Sequence, residues 1–128
     1  ERRYSFRTVF FEASRFCDHA CPMCMASSNR PDVVRRSLEK ELSTAEIEEH
    51  VFRTASEIGI DTITWSGGEF LLRADALELV SKASEYGYSS IVTTNGGKVT
   101  REGLIELDRA AGGTVVVAVG MAPPELVI

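Results

Sequence analysis

The sequence lacks the marks of several protein classes. It holds only three cysteines, an odd number that argues against a secreted disulfide framework. No apolar run approaches the ~20 residues that span a bilayer. The longest, around Val115–Ala122, is short and rich in valine, and reads as a buried strand. No stretch combines the basic start, apolar middle and small-residue cleavage site of a signal peptide. Acidic residues outnumber basic ones, 19 to 14, and the net charge of −5 gives no footprint for nucleic acid. Arg2, Arg3 and Arg7 make the amino end locally basic, which reads as a solvated end. No repeat, linker or low-complexity segment interrupts the chain. What remains is an ordinary globular composition, 44% hydrophobic and 26% charged, over 128 residues, enough for one domain (residues 1–128) with a core. A reducing cytoplasm is the expected setting, because the thiols must stay free.

The few cysteines are not scattered. All three lie in Cys17-Asp18-His19-Ala20-Cys21-Pro22-Met23-Cys24, a C-x₃-C-x₂-C run. A tight loop can turn three such thiolates toward one metal centre. A closed zinc or iron–sulfur site normally uses four protein ligands. The spacing alone leaves two chemistries open. In one, His19 completes a structural zinc loop. In the other, an iron–sulfur cluster keeps one iron without a protein ligand, free to take a small molecule.

The rest of the chain alternates strand and helix signals. Arg7–Ala13 reads as a strand, and Asn29–Leu42 as a polar surface loop. Ser43 and Glu46 form a capping box, and Ile47, Val51, Ala55 and Ile58 recur at helical spacing up to Gly59. Asp61–Trp65 is a second strand, closed by Ser66-Gly67-Gly68. Leu72, Ala76, Val80 and Ala83 mark a second helix that Gly87 stops. Ser89–Thr94 is a third strand, followed by Asn95-Gly96-Gly97. Thr100 caps a third helix carrying Leu104, Ile105 and Leu107. Thr114–Val119 is a fourth strand. The order β-α-β-α-β-α-β implies an α/β fold of parallel strands joined by crossovers. In such folds ligands gather at the carboxyl ends of the strands. The cysteine run, Ser66-Gly67-Gly68-Glu69 and Thr93-Thr94-Asn95-Gly96-Gly97 all fall on that one rim.

With Cys17, Cys21 and Cys24 followed by Gly67-Gly68-Glu69 after the second strand, the chain resembles the radical SAM (S-adenosylmethionine) enzymes. The resemblance implies a fold that is half of a partial (β/α)₆ TIM-like barrel. It implies a [4Fe–4S] cluster held by the three cysteines, with SAM chelating the fourth iron. It also implies reductive cleavage of SAM to a 5′-deoxyadenosyl radical that abstracts hydrogen from an organic substrate. Gly67 and Gly68 would let backbone approach the amino group of SAM, Glu69 would add negative charge beside that ammonium, and the Met23 backbone would meet the adenine. An external flavodoxin- or ferredoxin-like electron donor and a small-molecule or peptide substrate are implied as partners. Thr94 and Asn95, in Thr93-Thr94-Asn95-Gly96, resemble the third-strand ending of the branch that includes molybdenum-cofactor biosynthesis and peptide-modifying enzymes. Glu12 and Asp18 fit that branch as well.

The chain departs from the family pattern in three places. Phe70 stands where the turn after strand two usually ends in proline, so aromatic packing is expected to shape that exit. Val117-Ala118-Val119-Gly120 offers no polar side chain to a ribose. The resemblance covers about half of a six-unit core, so the remainder of the barrel is expected from a longer chain or a partner. Other residues carry plainer expectations. Asn95 either tolerates a tight turn or contacts a ligand, Trp65 is a core or barrel-wall residue, His50 is a surface residue, and Tyr86 and Tyr88 pack around the second helix end. Two further readings stay open beside the enzyme: a non-catalytic iron–sulfur electron carrier and a zinc-stabilised α/β interaction module.

Overall fold

A computed structural model describes residues 7–14, 41–97, 99–113 and 115–119. Four parallel strands, β1 (Thr8–Ser14), β2 (Thr62–Gly67), β3 (Ser89–Thr94) and β4 (Val115–Val119), form one sheet in sequential order. Strand boundaries shift by a residue or two from the sequence pattern. The largest shift is at β2, which runs on to Gly67 because that residue still pairs with Ser14. The register changes between Glu12 and Ser14, at the carboxyl end of β1. Such an irregularity bends a strand and re-aims the chain leaving it.

One face of the sheet is packed under helices. Val9, Phe11 and Ala13 of β1, Ile63 and Trp65 of β2, and Val92 of β3 belong to that core. These side chains share a face through the two-residue period of a strand, although Thr64, between Ile63 and Trp65, is buried as well. The other face carries the in-register row Phe10, Thr64, Ile91 and Val116. At its two ends Phe10 is 70% exposed and Val116 58% exposed.

The first helical segment begins as the sequence predicts. The Ser43 hydroxyl accepts from the Glu46 N–H, and the Glu46 carboxylate accepts from the Ser43 N–H, closing the capping box. Its course then differs. Helix α1 (Thr44–Ile47) passes into a π-helical stretch, Glu48–Phe52, before α2 (Arg53–Glu57) resumes. A π turn takes one residue more than an α turn, so the buried stripe slips by one. Phe52 is fully buried beside Ile47 and Ala55, whereas Ile58, expected on the apolar stripe, is 51% exposed.

The second and third helices match their sequence signals. Helix α3 (Ala76–Glu85) buries Ala76, Leu79, Val80 and Ala83, and the chain reverses at Gly87 with φ +87°. Leu72 falls just before it, in a 3₁₀ turn over Phe70–Leu72. Helix α4 (Arg101–Ala110) is capped by Thr100, whose hydroxyl accepts from the Gly103 N–H, and buries Leu107. Trp65 sits fully buried between the layers, edge-on to Phe11 and Phe52 and stacked on Phe70 with ring centroids 4.9 Å apart. Tyr88 is buried, donates to the Phe52 carbonyl and stacks on Tyr86. His50 is exposed. Among the described residues no helix is long and apolar enough to cross a membrane.

Candidate cofactor site

The carboxyl ends of the parallel strands form one rim, and the chain places its polar turns there. Gly67 is the last residue of β2 and pairs with Ser14, the last residue of β1. Its φ of +133° lies in a region that residues with a Cβ rarely adopt. Cys17, Cys21, Cys24, Met23 and His19 lie outside the described residues, as does most of the Asn29–Leu42 loop. In sequence, the cysteine run opens three residues beyond Ser14. Gly67 and Gly68 therefore stand beside the point from which it departs.

Glu69 is fully buried. Its Oε2 accepts from the Thr94 hydroxyl at 2.7 Å and from the Asn95 N–H at 2.7 Å. Its Oε1 accepts from the Leu71 N–H at 3.3 Å and starts the 3₁₀ turn. The carboxylate thus joins the end of β2 to the end of β3. A buried acceptor of this kind needs such donors, because leaving it unpaired is costly. The turn presents glycine backbone toward the β1 end, while the Glu69 oxygens are enclosed among protein donors.

The third-strand ending is held in the same way. The Thr94 hydroxyl donates to Glu69 and accepts from the Gly96 N–H at 3.1 Å. The Asn95 side-chain oxygen accepts from the Gly97 N–H at 2.8 Å, so it closes an Asx turn. Gly96 itself takes the positive φ, +84°, and a Cβ there would lie 3.2 Å from the Val119 side chain. The turn after β3 therefore packs against the end of β4. Phe70, in the position where the family usually has proline, is fully buried against Trp65. Aromatic stacking shapes this exit from the turn.

One feature beside the turn is not apparent from the sequence motifs. Arg73 and Asp75, just beyond Glu69, form a forked pair with Nε–Oδ1 at 2.7 Å and Nη2–Oδ2 at 2.9 Å. Arg73 also donates to the Ala13 carbonyl at 2.9 Å and the Leu42 carbonyl at 3.0 Å. Thr44 donates to Asp75 at 2.6 Å. Burial pushes the Asp75 carboxyl up, but its hydrogen bonds from Arg73 and Thr44 and the Arg73 charge outweigh this and hold it below the usual carboxylate range. The available signal was an arginine inside the apolar run Phe70-Leu71-Leu72-Arg73-Ala74, with an acid two residues later, ahead of a helix.

Among the described residues no group of three His, Cys, Asp or Glu side chains could hold a metal. The cysteine run, outside the described residues, remains the candidate ligand set on its sequence alone. Three soft thiolates suit iron–sulfur chemistry, and in sequence they come directly after a strand whose end pairs with the glycine turn.

Comparison with known proteins bears on the family and the fold. A family model described as the Radical SAM superfamily matches residues 11–125. The chain is 37% identical over 99 residues to a PqqA peptide cyclase of Bradyrhizobium diazoefficiens, covering 77% of this chain and 24% of that protein. It is 37% identical over 81 residues to a probable GTP 3′,8-cyclase of Methanothermobacter marburgensis, covering 62% and 24%. An AdoMet-dependent heme synthase of Oleidesulfovibrio alaskensis is 29% identical over 104 residues, covering 81% and 25%. The chain thus spans about a quarter of the length of these curated relatives. Among solved structures, the crystal structure of BtrN in an open conformation superposes with a TM-score of 0.66 at 19% identity, covering 91% of this chain and 57% of that one. That likeness supports the parallel α/β fold. With a family model spanning most of its length, the chain belongs to the radical SAM superfamily, whose members use a [4Fe–4S] cluster and S-adenosylmethionine.

Proposed function

We propose that this chain is the amino-terminal part of a radical SAM catalytic core. Cys17, Cys21 and Cys24 would hold the cluster, leaving one iron for the amino and carboxylate groups of SAM. When bound, this pair supplies an electron to the SAM sulfonium and, through its cleavage, a carbon radical able to abstract hydrogen from an organic substrate. The chain's own residues bind and orient. Gly67 and Gly68 offer bare backbone to the SAM ammonium. Glu69, expected from the resemblance to face the ammonium, instead has its oxygens taken up by Thr94, Asn95 and Leu71 and holds that turn in place. Met23 offers backbone to the adenine. Thr94 and Asn95 brace the turn from the third strand.

The observation that carries this reading is the joining of the glycine turn to the third-strand ending through the buried Glu69 carboxylate. Motifs distant in sequence meet on the rim where parallel α/β folds bind ligands. The relatives include proteins named for a peptide and for a nucleotide. We accordingly expect a small-molecule or peptide substrate, an external flavodoxin- or ferredoxin-like reductant and a reducing cytoplasm. Among the described residues Phe10 and Val116 are exposed at the two ends of the sheet, which fits a core whose remainder comes from a longer chain or a partner.

Anaerobic reconstitution tests the proposal. The expected product is a brown protein with about four irons per chain and a spectrum that changes when SAM is added. Cys21→Ala should abolish iron binding, and unchanged iron content would refute the ligand assignment. A colourless chain retaining one zinc per molecule would favour an interaction module. A cluster indifferent to SAM would favour an electron carrier.

A further inference from the structure

One guanidinium bridges both ends of the cysteine segment. Arg73 donates through Nη1 to the Ala13 carbonyl and through Nη2 to the Leu42 carbonyl. Ala13 is the penultimate residue of β1, and Leu42 immediately precedes the Ser43 cap of α1. Everything between them in sequence, Cys17, Cys21 and Cys24 included, belongs to one segment whose two ends meet at Arg73. The fork on Asp75 fixes the guanidinium plane, and Thr44, on the first turn of α1, binds the same carboxylate. The pair is mostly enclosed, with side-chain exposures of 11% for Arg73 and 20% for Asp75.

We infer that Arg73 is a positioning residue for the cysteine ligands, acting by clamping the two stems of the segment that carries them. The inference rests on the proposal that those cysteines hold the cluster. Three thiolates must converge on one centre, and the distance between a loop's ends restricts the conformations available to it. Groups behind metal ligands tune affinity by orienting them. The guanidinium suits this work because its planar fork can meet a carboxylate and two carbonyls together, which a lysine ammonium cannot reproduce. Arg73 lies four positions after Glu69. The short stretch Glu69–Asp75 therefore reaches β3 through its glutamate and β1 through its arginine. The glycine turn and the cysteine stems are referenced to one frame.

The test uses the full chain, reconstituted anaerobically, as wild type, Arg73→Ala, Arg73→Lys, Asp75→Asn and Tyr88→Phe. Tyr88→Phe removes a hydrogen bond at the opposite end of β3 and serves as a control for lost stability. Iron loss to excess ferrous chelator should be roughly 10-fold faster in Arg73→Ala, with Arg73→Lys and Asp75→Asn in between and Tyr88→Phe at the wild-type rate. The electron paramagnetic resonance signal of the reduced cluster should broaden in the Arg73 variants alone. Equal rates in Arg73→Ala and wild type, or equal acceleration in Tyr88→Phe at matched stability, would overturn the inference. If Arg73→Ala fails to fold, Arg73→Lys decides on the same criteria. Amide exchange in cofactor-free protein is the second readout. Acceleration confined to peptides within residues 13–42 supports the clamp, and uniform or absent acceleration refutes it. Wild-type chain that takes up no iron sinks the cluster proposal, while the exchange result still decides the clamp.

Discussion

Glu69 shows how much one buried side chain can organise. Its two oxygens meet a hydroxyl and two N–H donors. A glutamine cannot match that set, since either orientation points its NH₂ at a backbone N–H. Glu69→Gln should therefore cost about 1–3 kcal/mol of stability, read by urea denaturation, and weaken SAM binding in the reconstituted protein. Asp75 provides a pH test. Its folded carboxyl is held low, so its contribution to stability is present above the unfolded value of about 3.9 and is lost as pH falls through the folded value. Asp75→Asn should flatten that part of the acid-unfolding profile, and an unchanged slope would count against the pairing with Arg73. At this scale the sequence is only partly legible. The motif letters mark Gly67, Gly68 and Glu69 as special, but the two partners of Glu69 on the third-strand ending lie 25 and 26 positions away. No local pattern connects them.

Among the elements, local signals read well where the physics is local. The Ser43–Glu46 box and the Thr100 cap depend on neighbours three residues apart, and both are present. The first helix departs from its sequence pattern because its periodicity breaks. Spacing by 3.6 residues selects Val51 and Ile58, whereas the π-helical stretch Glu48–Phe52 rotates Phe52 inward, against Trp65. Phe52→Ala should then cost about 3–5 kcal/mol, and Ile58→Ala should stay within about 0.5 kcal/mol. Urea denaturation of both variants checks the phase of this helix, and the reverse ranking would restore the unbroken stripe.

For the whole molecule, the alternation of strand and helix was enough to anticipate four parallel strands, and their sequential order is what the structure adds. Each strand lies beside its sequence neighbours, so the topology needs little long-range information. The cover for the other face of the sheet is not written in that alternation. Phe10 and Val116 remain exposed at the ends of a row through Thr64 and Ile91. Exposed apolar side chains at sheet edges invite association. The 128-residue chain alone should self-associate at micromolar concentration by light scattering, and Val116→Lys should raise the monomer fraction. A wild-type chain that stays monomeric would show that this face is tolerated bare. The single tryptophan has a further use. Trp65 lies dry near the end of β2, just before the glycines, donating to Ser90 while its carbonyl accepts from Thr93. The protein thus carries its own optical reporter. One indole emits from one environment, so a red shift or a change in lifetime would signal, without any added label, that the seam between the second and third strands has opened.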